Sequence, residues 1–236
     1  MHHVGDRIEV GNAAWSFGGE VSQTFDSHVR RSVPMYEEGH DLVARLSDFF
    51  LYGGAVAYEL GCSTGELTRK LAERNRHKDV TIIGIDCEPA MVERAKAKCA
   101  DYANVSIQLG DITDTEFQTA DLIVAYYTMQ FIRPRFRQQV FDRIYHALNW
   151  GGAFMLFEKV RGPDARFQDM MSAIYNDFKL AQGFSEAEII HKTCSLKGVL
   201  EPFSTQGNLG LLERAGFVDC MTVFKYIPFE GFLAIK

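Results

Sequence analysis

No stretch of this 236-residue chain reaches the roughly 18 uninterrupted apolar residues that a membrane span needs. The opening Met1-His2-His3-Val4-Gly5-Asp6 also lacks the apolar core of a secretory signal. Both absences make the cytoplasm the expected compartment, with no membrane partner. No C-x-x-C pair occurs, and the five cysteines (Cys62, Cys87, Cys99, Cys194 and Cys220) are an odd number. That excludes a disulfide framework and a thiolate zinc site, so the thiols are expected to be reduced. His, Asp and Glu never cluster at metal-ligand spacing, and no metal is expected. Basic charge is also in deficit, since 25 Lys+Arg stand against 31 Asp+Glu for a net charge of −6. The densest basic run, Arg133-Pro134-Arg135-Phe136-Arg137, covers one helix start. Direct contact with nucleic acid is therefore not expected. Internal repeats and low-complexity segments are absent as well.

What is present is enough apolar material for one sizeable core, 47% hydrophobic with 12% aromatic. Val21, Phe25 and Val29, then Leu42, Leu46 and Phe49, recur at helical spacing and predict helices over 20–31 and 36–50, divided by Pro34. Strands and helices then alternate: strand 55–60, helix 65–74, strand 80–85, helix 89–101, strands 105–109 and 121–126, helix 134–148 and strand 152–159. Asn149-Trp150-Gly151-Gly152 reads as the last helix-to-strand turn. Such alternation predicts an α/β fold around a parallel, doubly wound sheet. The final third departs from it, with helices over 164–182, 185–201 and 207–215 and strands over 218–226 and 229–235. One domain, 1–236, is expected, with an N-terminal helical lid over 15–50 and an inserted helical cap over 164–201.

The run Tyr58-Glu59-Leu60-Gly61-Cys62-Ser63-Thr64-Gly65-Glu66-Leu67 joins a strand to a helix through Gly-x-x-x-Gly. Glycines let the backbone turn tightly and approach a ligand, and the following helix start presents free N–H groups. A second acid, Asp86, ends the next strand 27 residues beyond Glu59. Carboxylates at strand tips of such folds hold ribose hydroxyls. A third acid stands in Gln108-Leu109-Gly110-Asp111-Ile112. The dinucleotide fingerprint Gly-x-Gly-x-x-Gly is missing, because Ser63 occupies the place of its middle glycine, which argues against NAD.

The pattern acid-x-Gly-x-x-x-Gly resembles the first motif of the class I S-adenosylmethionine (SAM) methyltransferases. That resemblance implies a Rossmann-like, seven-stranded, mostly parallel sheet with an antiparallel C-terminal strand. It also implies that Glu59 serves the methionine ammonium, Asp86 the ribose and Asp111 the adenine amino group. SAM, or S-adenosylhomocysteine as product, is the implied cofactor.

Further segments narrow the likeness: Trp15-Ser16-Phe17, Arg31-Ser32-Val33-Pro34-Met35-Tyr36, Met91-Val92-Glu93-Arg94, Tyr127-Thr128-Met129-Gln130-Phe131, Ala181-Gln182-Gly183-Phe184-Ser185-Glu186 and the tail Gly231–Lys236. They resemble the carboxy-SAM synthases from about Trp15 to the C-terminus. That family is dimeric and joins SAM to prephenate, making carboxy-SAM for a partner enzyme of tRNA wobble-uridine modification. The resemblance carries cofactor contacts onto Tyr36, Gly61-Cys62-Ser63, Asp86-Cys87 and Asp111-Ile112. Two family positions differ. Tyr126 stands where the family has an asparagine, and Thr193 where it has the arginine that holds the added carboxylate. Lys192 is adjacent, but a lysine lacks the planar fork of arginine.

The sequence thus points first to a SAM-dependent methyltransferase acting on a small-molecule acceptor, as a homodimer. Carboxy-SAM synthesis is the alternative, and a non-catalytic SAM-binding protein the third reading. Tyr126, Tyr36 and Arg161 are the candidate catalytic residues. Tyr36, Glu59, Gly61, Cys62, Ser63, Gly65, Asp86, Cys87, Asp111, Ile112 and Tyr126 are expected at the cofactor, with Trp15, Phe17, Tyr127, Lys192 and Thr193 around the acceptor. His28, His40 and His191 are the imidazoles available as a base.

Overall fold

A computed structural model describes residues 2–5, 8–19 and 21–236, without the side chains of His2, His3, Glu9 and Val10. Met1 and Asp6 of the opening stretch, and Glu20 at the start of the predicted helix 20–31, lie outside the described residues.

A short antiparallel ribbon, β1 (His2–His3) with β2 (Glu9–Val10), precedes helices α1 (Val21–Ser32) and α2 (Tyr36–Leu46). Helix α2 runs into a 3-10 turn over Ser47–Phe49, so the predicted helix 36–50 is two helical pieces. The alternating part follows as β3 (Ala55–Leu60), α3 (Glu66–Arg74), β4 (Val80–Asp86), α4 (Pro89–Lys98), β5 (Val105–Leu109), β6 (Ala120–Tyr126), α5 (Pro134–Ala147) and β7 (Leu148–Lys159). Helices α6 (Ala165–Ala181), α7 (Glu186–Ser195) and α8 (Thr205–Ala215) lead to β8 (Asp219–Tyr226) and β9 (Phe229–Ile235).

The seven long strands form one sheet in the order β5-β4-β3-β6-β7-β9-β8. Strands β5, β4, β3, β6 and β7 are parallel, and β9 pairs antiparallel with both neighbours. This is the class I methyltransferase sheet that the sequence resemblance implied. The central strand β6 is buried along its whole length, consistent with its unbroken apolar run Leu122-Ile123-Val124-Ala125. One sheet face packs Ile123, Phe141, Phe154 and Leu212, and the other packs Val43, Leu71, Leu122 and Phe157. Each such side chain contributes about 1.5–3 kcal/mol by leaving water.

Among the boundaries that differ from the sequence expectation, two have a plain physical cause. The helix predicted over 185–201 ends at Ser195, because Gly198 takes φ +68° and the chain turns away to bond Gln130 and Arg137 through Glu201. Strand β7 starts at Leu148, four residues before the predicted 152, and absorbs Asn149 to Gly152 as an irregularity between the pairs Ala120/Leu148 and Leu122/Ala153. Asp121 holds that bulge by accepting from Asn149 Nδ2 at 2.7 Å and from the Val56 amide at 2.9 Å.

Candidate active site

The carboxyl ends of β3, β4, β6 and β7 open into one cavity of about 840 Å³, roofed by α1, α2, α6 and α7. At its floor the β3–α3 turn places Gly61 at φ +73°, Ser63 at +49° and Gly65 at +80°. A Cβ at Gly61 would stand 2.5 Å from the Thr128 side chain, so only glycine lets the turn pass beneath that residue. Asp86 ties the turn to the next strand: one carboxylate oxygen accepts from the Ser63 amide at 2.8 Å and the other from the Glu88 amide at 2.9 Å. Burial holds this carboxyl above its ordinary range. Glu59 lies deeper, its carboxylate accepting from the Thr68 hydroxyl, and burial pushes its pKa up to about 8. A buried carboxylate in that state gains much from a cationic ligand. The glycine cradle, Glu59 and Asp86 therefore fit the amino acid and ribose ends of SAM.

Most sequence-predicted cofactor positions reach the cavity wall: Tyr36, Glu59, Gly61, Cys62, Ser63, Asp86, Cys87, Asp111, Ile112 and Tyr126. Gly65 does not line the cavity. It caps α3, and a Cβ there would stand 3.0 Å from Ala95, so its smallness serves the packing of α3 on α4. Cys62 is buried beside Val92, Ala95 and Cys99, and desolvation holds its thiol far above the usual range, which makes it inert packing. Asp111 forms a closed turn, one carboxylate oxygen accepting from the amide of Thr113 at 2.8 Å and its hydroxyl at 2.7 Å.

Aromatic rings form the cavity wall at the end of β6, the strand beside β3. Tyr126 sits at the tip of β6 with ring centroids 4.5 Å from His40, 4.6 Å from Tyr127 and 5.3 Å from Tyr36. Its hydroxyl donates to the Tyr36 carbonyl at 2.7 Å. The space that this ring fills exists because residue 39 is glycine, where a Cβ would meet the Tyr126 hydroxyl at 2.1 Å. Burial keeps the hydroxyls of Tyr36, Tyr126 and Tyr127 protonated and lowers His40 to about 3. His40 is thus a neutral imidazole, poorly suited as a general base near pH 7. Tyr127 holds a left-handed backbone, φ +58°, and its buried hydroxyl meets no hydrogen-bond partner among the described residues.

The roof brings together segments far apart in sequence. Arg31 donates to the Gln182 carbonyl at 3.0 Å and stacks over Phe184, while Tyr175 donates to the Ser32 carbonyl at 2.7 Å. The Arg31–Tyr36 and Ala181–Glu186 motifs are therefore two sides of one contact between α1–α2 and α6–α7. Trp15 and Phe17 line the cavity as expected, and Trp15 also packs with Val4, Ile8 and Val21. Lys192 reaches the wall with its ammonium on His28 and 2.9 Å from the Ser32 hydroxyl. Thr193 points its hydroxyl back to the Ile189 carbonyl at 2.8 Å. Arg161 stands at the rim, donating to the Pro202 carbonyl at 3.1 Å. His191, on α7, is not among the cavity residues.

Sequence reasoning placed the segment 126–130 at this crevice, and Gln130 lies on its wall, but it missed Lys159, Tyr175 and Lys179, which line it too. Lys159 ends β7, so the rule that ligands collect at strand carboxyl ends would have found it. Lys179 and Tyr175 carry no such signal, since their helix reads as an ordinary solvated face. Among the described residues no group of His, Cys, Asp and Glu is placed to hold a metal ion, and no helix is long and apolar enough to cross a membrane.

Comparison with known proteins agrees with this fold. Residues 57–152 match the family model described as a methyltransferase domain. The chain is 36% identical over 227 residues to the carboxy-S-adenosyl-L-methionine synthase of Sulfurimonas denitrificans, covering 94% of each chain. Against the protein of the same name from Campylobacter jejuni the identity is 38% over 223 residues, again covering 94% of each. Among solved structures, the pyocyanin biosynthetic protein PhzM superposes with a TM-score of 0.65 at 17% identity, covering 92% of this chain and 58% of that one. Human N-acetylserotonin methyltransferase in complex with SAM gives 0.58 at 17%, covering 94% and 60%. Both structural likenesses show the fold. By sequence, by sheet order and by the strand-turn-helix at its floor, this chain belongs to the carboxy-S-adenosyl-L-methionine synthase family of SAM-dependent, methyltransferase-fold enzymes.

Proposed function

We propose that the protein transfers a methyl group from SAM to a small-molecule acceptor held between the aromatic wall and the α6–α7 cap. The observation that carries this reading is the continuity of one cavity from the acid-flanked glycine turn to a chamber walled by Tyr36, Tyr126 and Tyr127. In this reading Glu59 faces the ammonium, Asp86 the ribose, and Asp111 with Ile112 the adenine. The sulfonium supplies an already activated methyl group. The chain's own task is to hold the nucleophile in line with it and to exclude water, which the roof contact Arg31–Gln182 and the rings serve. Tyr126 and Tyr36 keep their protons, so they act by shape and as hydrogen-bond donors rather than as bases. The homodimer belongs to the same proposal, because α6 turns Phe167, Met170 and Ile174 outward, 44%, 51% and 55% exposed.

One observation favours a second reading. Similarity to proteins named carboxy-SAM synthase extends over 94% of the chain, which supports synthesis of carboxy-SAM. Against it stands the sequence expectation that Thr193 takes the place of the family's carboxylate-holding arginine, and the Thr193 hydroxyl is committed to its own helix. Mass spectrometry of the ligand that co-purifies separates the two. SAM or S-adenosylhomocysteine alone supports methyl transfer, whereas carboxy-SAM makes synthesis the better reading. Thr193→Arg is expected to raise the affinity for carboxy-SAM relative to SAM, and an unchanged ratio in calorimetry would remove position 193 from the argument.

A further inference from the structure

Two lysines share one aromatic platform inside the cavity. Lys159, half-buried at the end of β7, and Lys179, only 8% exposed on α6, place their ammonium groups 4.6 Å and 4.4 Å from the centre of the Tyr175 ring. That ring is fixed, because its hydroxyl is bound to the Ser32 carbonyl and its edge meets Phe229. Arg161 is two residues beyond Lys159 on the same wall. Among the described residues none of the three forms an ion pair with a carboxylate. Glu158 does not serve them: alternation along β7 sends it to the other face, where it accepts from the Gln130 amide at 3.2 Å. Burial and mutual repulsion lower Lys159 to about 8, and burial alone lowers Lys179 to about 8. Protein interiors retain such cationic groups at a cost unless an anion joins them.

The placement is also right for an acceptor. In the sheet order β3-β6-β7, Lys159 lies two strands from the glycine turn, roughly 10 Å across the sheet at about 4.8 Å per strand. That is the length of a small aromatic molecule. Between Lys159 and the turn stands β6, whose carboxyl end carries the Tyr126 and Tyr127 rings with centroids 4.6 Å apart.

We propose that Lys159 and Lys179, with Arg161 at the rim, form an anion subsite that seats the carboxylate of an aromatic acceptor beside the SAM cleft. This rests on the small-acceptor reading above. Charge is neutralised there and cation–π contacts are kept, since the Tyr175 ring supports both ammonium groups from one side chain. The carboxylate fixes one end of the acceptor, leaving its other end to meet the methyl group.

The test is calorimetric titration of the protein saturated with S-adenosylhomocysteine, using benzoate, its neutral isostere benzamide, and phenyl phosphate. Benzoate is expected to bind about tenfold or more tightly than benzamide, the scale of one charge-assisted contact. Lys159→Met and Lys179→Met are each expected to weaken benzoate by about tenfold while the S-adenosylhomocysteine affinity stays the same. Equal affinity for benzoate and benzamide overturns the subsite, and that comparison needs no variant. So does an unaltered benzoate affinity in Lys179→Met. A preference for phenyl phosphate with none for benzoate overturns the carboxylate assignment. Failure of S-adenosylhomocysteine itself to bind defeats the underlying SAM reading, whereas normal binding of it with no benzoate preference defeats the subsite alone.

Discussion

At the scale of single residues, two carboxyls divide the work at the cavity floor. Asp86 accepts two backbone amides and so shapes the turn that it is proposed to help bind SAM. Asp86→Ala is expected to weaken SAM by about 1–3 kcal/mol in calorimetry, and an unchanged affinity would reassign the ribose contact. Glu59 reports through pH. Its folded pKa of about 8 lies above its ordinary 4.5, so the unfolded chain releases this proton first and stability falls as pH rises from 4.5 through 8. Glu158, also raised to about 8, acts in the same direction. His40 acts oppositely and lower down: its folded pKa of about 3 lies below 6.5, so stability falls as pH drops through that interval. Between pH 7 and 8 the two carboxyls therefore set the slope among these three groups. Denaturant titrations should show a smaller fall over that unit in Glu59→Gln than in the parent, and an equal fall would place the Glu59 proton elsewhere. Glu59 and Asp86 were legible in the sequence because strand ends and acid spacing mark them. The pKa of about 8 was not, since it depends on what lies over the carboxyl rather than beside it in the chain.

At the scale of elements, α2 and β6 meet through one exchange of volume. Gly39 has no side chain where Tyr126 has a large one, and the Tyr126 hydroxyl closes the gap by bonding the Tyr36 carbonyl. Gly39→Ala should destabilise the fold by about 1–3 kcal/mol through overpacking. Tyr126→Phe in the same chain should recover part of that loss, because it removes the oxygen that the new methyl group meets at 2.1 Å. Strictly additive losses in thermal denaturation would show that the two positions do not compete. The sequence singled out Tyr126 only through the family resemblance, which implies an asparagine there, and gave no sign that residue 39 makes room for it. Helix α7 teaches a related lesson. Its start matches the expected helix to within a residue, and there Ser185 and Glu188 form a reciprocal cap. Its end at Ser195 does not match, because the long-range bonds of Glu201 to Gln130 and Arg137 compete with continued helix.

At the scale of the whole molecule, the exposed face of α6 bears on assembly. Light scattering is expected to give twice the chain mass of 26.7 kDa, and Met170→Asp with Ile174→Asp to return the single-chain value. A dimer unaffected by those changes would move the interface elsewhere. The sequence by itself determined the sheet class, the glycine turn and the acids at strand tips, because periodicity, Gly-x-x-x-Gly and strand-end carboxylates are local and survive without knowledge of contacts. Only the tertiary structure decided that Arg31 closes on Gln182, that Lys159 and Lys179 share Tyr175, and that Gly65 serves packing rather than the cavity. Each of those joins residues distant in sequence, and their chemistry arises from burial and distance, which no local pattern encodes.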